Sequence, residues 1–556
     1  MRSNFDLRNT LIITGIAFLF FGFFNGRVHL FDWDEINFAE MAREMVVSGE
    51  YLRPQVNFKF FTEKPPMFMW MQAASMEVMG IGEYAARFPN VLAGILTLIL
   101  LFHFGKKLYN VRFGWLWVLT YIGSVLPHLY FRSGIIDPWF NLFIFLGIFH
   151  LILFVWKKNN AAHIELFRSK FFYLIVAGIF TGLAMLVKGP VAYLITGLTL
   201  GVYWIFKRFK FYISPLEFIG YTVVAILTAM TWFGLITIFH GTQFVEEFTI
   251  RQWEIFSRED AGHGGFPGYH FVVLLIGVFP ASIFMLRSFG KQEFKFDYLK
   301  DYKLWMLILF WVVLILFTIV RSKIVHYSSM AYFPMTFLAA MVLHDIMEGR
   351  LYFRRWMALL LMFIAFIFGA TLIALPWLGK NVDLIRPLFT ADPFALANLD
   401  ADVPWTGWES IAGVWFILIT ITAIIRFYKA KFGSGVVWLF GGTAIFVFLT
   451  LSLIIKKIEM ISQNAAIEFF ESKADCDCYV TTENYKSYGQ YFYAASQPGG
   501  HPERYNNDWL KLGAIDRDVY FVAKITGTED LKRIEDIHLL YEKNGFTFWH
   551  RQPPDY

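Results

Sequence analysis

Three carboxylates stand within four positions at Asp32-Trp33-Asp34-Glu35, just after the first long apolar run of the chain. An acid held where a chain leaves an apolar medium can serve as a general base, or it can sit as solvated charge at a helix end. The same loop goes on to Phe61-Thr62-Glu63-Lys64-Pro65-Pro66, an acid and a base presented rigidly because each proline fixes its own φ and restricts the residue before it. In the short connection Arg132-Ser133-Gly134-Ile135-Ile136-Asp137-Pro138, Asp137 either works at the interface or caps the helix that follows. Lys188, in Leu186-Val187-Lys188-Gly189-Pro190, either meets a substrate anion or snorkels to lipid phosphate. A later loop brings Arg251, Glu254, Arg258, Glu259, Asp260 and His263, and a further turn carries Lys323, His326 and Tyr327. A lone histidine is more often structural than a ligand, so neither His263 nor His326 decides anything by itself. The sum is unusual: acids and bases gather in at least five separate connections.

The elements that must position these groups are membrane helices. Of the 556 residues, 57% are hydrophobic and 17% charged, against about a quarter charged in soluble domains. Lipid is therefore the solvent for most of the chain. The run at 11–24 follows Arg2 and Arg8 like a signal peptide but meets no small-residue cleavage site, and reads as a retained first span. Apolar runs long enough to cross hydrocarbon fall near 10–31, 88–105, 115–131, 138–156, 171–187, 190–206, 216–239, 271–286, 304–320, 330–347, 356–378, 409–427 and 435–455. These make about 13 spans. Alternate connections carry the basic residues, among them Lys106 and Lys107, Lys157 and Lys158, Lys207 to Lys210, Lys291 to Lys303, and Arg354 with Arg355. By the positive-inside rule those connections face the cytoplasm, which puts the N-terminus inside and the C-terminus outside. The net charge of +5 thus reports orientation, not nucleic-acid binding.

The expected fold is an all-α polytopic membrane domain over 1–455 and a small α/β extracytoplasmic domain over 456–556. In the first outer loop, 37–48 places Phe38, Met41, Ala42, Met45 and Val46 opposite Glu40, Arg43 and Glu44, the pattern of an interfacial helix, with Gly49 as its stop. A second such helix is expected over 67–79. Cys476 and Cys478, one residue apart, form neither a zinc quartet nor a disulfide framework, and free or loosely oxidised thiols are expected.

These residues resemble the GT-C class of membrane glycosyltransferases that use polyprenyl-phosphate sugars, in the branch of the lipid A aminoarabinose transferase and the bacterial relatives of protein O-mannosyltransferases. The resemblance rests on Asp34-Glu35 with the following Ala39 to Met45, on Phe61 to Pro66, and on Glu83-Tyr84-Ala85-Ala86-Arg87-Phe88-Pro89. It continues through Asp137, Lys188-Gly189-Pro190, Arg258 with His263, and Lys323 to Tyr327. It implies Asp34, with Glu35 and Asp137, as the catalytic acids, and Lys64, Lys188, Arg258, Lys323 and Tyr327 as holders of the donor phosphate. No cofactor is consistently implied, although Glu63 and His263 match positions that can share a divalent metal. The implied partners are a polyprenyl-phosphate sugar, an acceptor outside the cytoplasm (glycolipid, wall polymer or protein) and membrane lipids, in a bacterial inner membrane. Asp32 leaves the identity of the base open, and the acidic, glycine-rich loop at 251–265 departs from a lipid A site. The rival reading, a transporter or lipid flippase, explains many spans equally well but would favour ionisable groups near the bilayer midplane.

Overall fold

The computed structural model describes residues 2–160, 166–257 and 264–554. Among them nine helices are long and apolar enough to cross a membrane, from Glu83–Leu108 to Phe432–Ser462. One bent pair would make ten, and the opening helix α1 (Arg2–Gly22) and two shorter apolar helices (Val111–Ile122 and Val191–Phe206) lie at the places of further expected spans. The chain is an all-α polytopic membrane protein with a small sheet near its C-terminus.

Two expected spans are not straight crossings. The run at 115–131 stops as a helix at Ile122 and resumes as the short Val125–Leu129. The run at 271–286 is two helices, Tyr269–Gly277 and Ala281–Arg287, bent by 110°. Pro280 stands at that break, where it removes a backbone donor and cannot continue the first helix.

Between α1 and helix α4 (Glu83–Leu108) the first loop folds into α2 (Asp34–Ser48), a minimal hairpin of β1 (Gln55–Val56) and β2 (Lys59–Phe60), and α3 (Met67–Met79). Gly49, at φ 72°, ends α2 with its N–H on the Met45 carbonyl, a left-handed cap that favours glycine. The polar face of α2 differs from expectation: Glu40, Arg43 and Glu44 are all buried. The reason is tertiary. Arg43 pairs with Glu40 and donates to the Ser496 carbonyl at 2.7 Å, while Glu44 accepts from the Phe58 N–H at 2.8 Å. What looks like a solvated stripe is a docking face for the end of the chain.

That end carries strands β3 (Tyr479–Glu483), β4 (Val519–Lys524), β5 (Ile537–Lys543) and β6 (Phe546–Arg551) in the order β3-β4-β6-β5, with β3 parallel to β4 and the other pairs antiparallel. Alternation along β4 sends Val519, Phe521 and Ala523 into a small core of their own, and Val522 into the core continuous with the membrane helices. The sheet is therefore seated on the helical body through one face. Cys476 and Cys478 are joined as a disulfide, where free or loosely oxidised thiols were expected.

Candidate active site

The first loop is held by one arginine. Arg87, near the start of α4, is buried and binds both oxygens of Glu35 at 2.8 Å. Its remaining donors reach the carbonyls of Asn25, Val28 and His29. Glu35 also accepts from the Phe31 and Gly134 N–H groups, at 2.9 and 2.6 Å. Burial would raise the Glu35 carboxyl, but Arg87 and these two N–H groups hold it below its ordinary value. Every acceptor site of Glu35 is committed, so the geometry gives this expected catalytic acid a different part: it fixes where α2 begins, and hence where Asp34 points.

Asp34, one residue earlier, faces a cavity of about 970 Å³ between the first loop, the outer ends of several spans and the C-terminal sheet. Its side chain is 33% exposed, and its Oδ2 lies 3.4 Å from Nε2 of His326. Burial would raise this carboxyl too, yet His326, then Lys64 and Lys188, hold it below its ordinary value. The first turn of α2 adds the partial positive charge of a helix N-terminus. A carboxylate so placed stays ionised and open to the cavity.

Asp137 and Lys188, expected in separate roles, meet from two different spans. Lys188 Nζ is 2.7 Å from Asp137 Oδ1, and the other oxygen, Oδ2, is buried, without a hydrogen bond among the described residues, and 3.7 Å from His326 Nε2. His326 thus sits between two acids, a bridging position its isolated place in the sequence does not reveal. The Lys188 ammonium also lies 4.9 Å from the Tyr327 ring, and Tyr327 lines the cavity. Lys64 lines it as well and makes no hydrogen bond or ion pair among the described residues. Burial pushes its ammonium below the ordinary value, against the pull of Asp34 and Glu63. An uncommitted, poorly hydrated cation is suited to receive an anion.

Other expected residues go elsewhere. Lys323 donates to the carbonyls of Phe317, Thr318 and Val320, closing the end of the Asp297–Ile319 helix instead of facing the cavity. Arg258 and His263 lie outside the described residues. Glu63 lines the cavity with Arg251 Nε 3.4 Å from its oxygen. The other residue of the expected metal pair, His263, lies outside the described residues, and what the structure shows at Glu63 is this ion pair. The described residues that gather with metal-like spacing are instead His29, Glu83 and Glu471.

The C-terminal sheet supplies two cavity residues that the sequence reading missed, Lys486 and Tyr488. They lie just beyond the carboxyl end of β3, the place where parallel strands commonly present ligand-binding loops. Tyr488 packs edge-on against Trp33 at 4.9 Å and its N–H donates to Asp32 at 3.2 Å, while Ser487 Oγ donates to the same carboxylate. Asp32 is thereby engaged in docking the sheet, and Asp34 is the one of these two aspartates without such an anchor. The polar run Asn484-Tyr485-Lys486-Ser487-Tyr488-Gly489 directly after a β-pattern was the available signal.

Comparison with known proteins gives the site a context. Residues 63–233 match the family model of dolichyl-phosphate-mannose-protein mannosyltransferases. The chain is 25% identical over 426 residues to an undecaprenyl phosphate-alpha-4-amino-4-deoxy-L-arabinose arabinosyl transferase of Pectobacterium atrosepticum, covering 74% of this chain and 72% of the relative. Its fold is that of ArnT from Cupriavidus metallidurans. The structure bound to undecaprenyl phosphate superposes with a TM-score of 0.75 at 18% identity, and the apo structure with 0.76 at 17%, each covering 97% of both chains.

Proposed function

We propose how this chain, a GT-C-class membrane glycosyltransferase that moves a sugar from a polyprenyl-phosphate donor to an acceptor outside the cytoplasm, carries out the transfer. Asp34 is the base. It takes the proton of the acceptor hydroxyl as that oxygen attacks the anomeric carbon, and the bond from that carbon to the phosphate oxygen breaks with inversion. The leaving group departs as a phosphate monoester, stable as an anion, and needs positive charge more than a proton. Lys64 and Lys188 supply that charge, with Tyr327 beside Lys188 as a hydroxyl donor. Asp137 positions Lys188 and His326, and Glu35 with Arg87 positions Asp34.

The observation that carries this reading is the pairing of functions in one cavity: an ionised, accessible Asp34 and an uncommitted Lys64 face the same volume. The arabinosyl transferases among the relatives support a finer reading, in which the sugar is an amino-pentose and the acceptor a lipid A-like glycolipid. In the same reading the N-terminus is cytoplasmic, residues 1–455 form the membrane catalytic part, and residues 456–556 form a periplasmic domain that completes the cavity. The test is transfer by purified protein in lipid, offered undecaprenyl-phosphate pentoses and hexoses with membrane glycolipid as acceptor. Asp34→Asn is expected to lower turnover about 10²- to 10⁴-fold while the protein stays folded. Full activity of Asp34→Asn removes Asp34 from the role of base; transfer of a hexose in preference to the amino-pentose removes the finer donor assignment.

A further inference from the structure

A second cavity, of about 770 Å³, lies at the other end of the same helices. The Asp137–Asn159 helix begins at the active-site acid and ends here with Trp156 and Asn159; the Asp297–Ile319 helix runs from this cavity toward His326. At 1.5 Å per residue the latter separates the two by about 35 Å, roughly a bilayer core. None of the residues around this second cavity has a part in the transfer described above.

Its chemistry is one-sided. Lys210, Lys291, Lys300 and Lys303 line it, and none of them makes a hydrogen bond or ion pair among the described residues. The acid nearest its floor, Asp301, is already satisfied by Tyr203, Trp156 and Lys207, at 2.7, 2.9 and 2.9 Å. Asp297 is the other acid in the lining. The side-chain amide of Gln292 is buried there with neither its nitrogen nor its oxygen hydrogen-bonded. A buried amide without partners is costly, and a polar ligand would relieve it. Beside these groups Val155, Leu304 and Leu307 form an apolar wall. Ordinary membrane-facing lysines would ride on a convex surface; here they surround a recess that has both a polar floor and an apolar side.

We infer that this cavity is a binding site for the phosphate headgroup of an anionic phospholipid, held by the lysine ring and Gln292, with an acyl chain against Leu304 and Leu307. Basic recesses between spans on a lysine-rich membrane face suit such headgroups. The inference is independent of the transfer reading.

The test uses the full chain in nanodiscs of phosphatidylcholine doped with phosphatidylglycerol, with retained lipid counted by native mass spectrometry after detergent release. Wild type is expected to retain phosphatidylglycerol selectively, and Lys291→Gln/Lys300→Gln/Lys303→Gln to bind it on the order of a hundredfold more weakly. A charge-matched control, Arg354→Gln/Arg355→Gln/Lys429→Gln, removes basic residues outside the cavity and is expected to retain the lipid. Equal losses in both variants, or equal retention of the two lipids by wild type, overturn the proposal. Displacement of the lipid by millimolar inorganic phosphate alone overturns the lipid assignment in favour of a soluble phosphate. If the triple variant does not fold, Gln292→Leu replaces it: about tenfold weaker retention supports the site, and unchanged retention overturns it.

Discussion

The two cavities are built from opposite ends of shared helices and use charge in opposite ways. Around Asp34 almost every ionisable group has a partner of the other sign: Glu35 with Arg87, Asp137 with Lys188, Glu63 with Arg251, and His326 between two acids. Around Lys291 and Lys303 the cations other than Lys207 stand without ion pairs among the described residues. Paired charge holds atoms in place at the cost of desolvation, which a reaction geometry requires. Unpaired charge holds nothing in place but waits for an anion, which a binding recess requires. Lys64 and Lys486 are the exceptions that connect the two, cations without an ion pair among the described residues inside the paired site.

The sharpest way to break this comparison is to unpair the first. Arg87→Met leaves Glu35 buried and uncompensated, and is expected to cost about 3–5 kcal/mol of stability. Thermal unfolding of the purified protein would check this, and a cost below about 1 kcal/mol would show that the pair is not structural. Lys64→Met tests the first exception. Loss of one charge-assisted contact to the leaving phosphate predicts a fall in turnover of about ten- to a hundredfold with no change in Tm, and steady-state kinetics with saturating acceptor would reveal it. His326→Gln should cost less, about tenfold in turnover, with an acid limb of the pH–rate profile shifted upward because Asp34 loses the neighbour that keeps it ionised.

Of the expected residues, Asp34, Glu35, Glu63, Lys64, Lys188 and Tyr327 line one cavity, and Asp137 is tied to it through Lys188. They were legible because membrane spans leave few places for a charge, so an acid or base at the end of an apolar run must sit at the interface. Glu35 and Lys323 were misread for a shared reason. Each is polar in the right neighbourhood, but Glu35 is taken up by Arg87 with two backbone N–H groups and Lys323 by backbone carbonyls, partners that spacing cannot reveal. The polar stripe of α2 was misread because its cover, the segment around Ser496, lies more than four hundred residues away in the chain. The same distance hid Lys486 and Tyr488.

The smallest predicted effect concerns that cover. Burial, with Glu40 beside it, pushes the Glu44 carboxyl well above its ordinary value of 4.5, so the folded protein holds a proton there that the unfolded chain releases. Stability from this group is fully present below about 4.5 and is lost as pH rises through the raised value. Glu44→Gln, which keeps the neutral shape, should flatten this decline; pH-dependent unfolding curves of wild type and variant that run parallel would argue against a bound proton.

The seating of the sheet on the first loop also sets an order of events during synthesis. Asp32 is gripped by Ser487 and Tyr488, and α2 by Ser496, so the cavity wall is incomplete until those residues have been made and have folded against the first loop. Every span can be inserted and Asp34 already in place while the reaction chamber still lacks a side. A chain that stops before Ser487 is expected to leave the cavity open on that side.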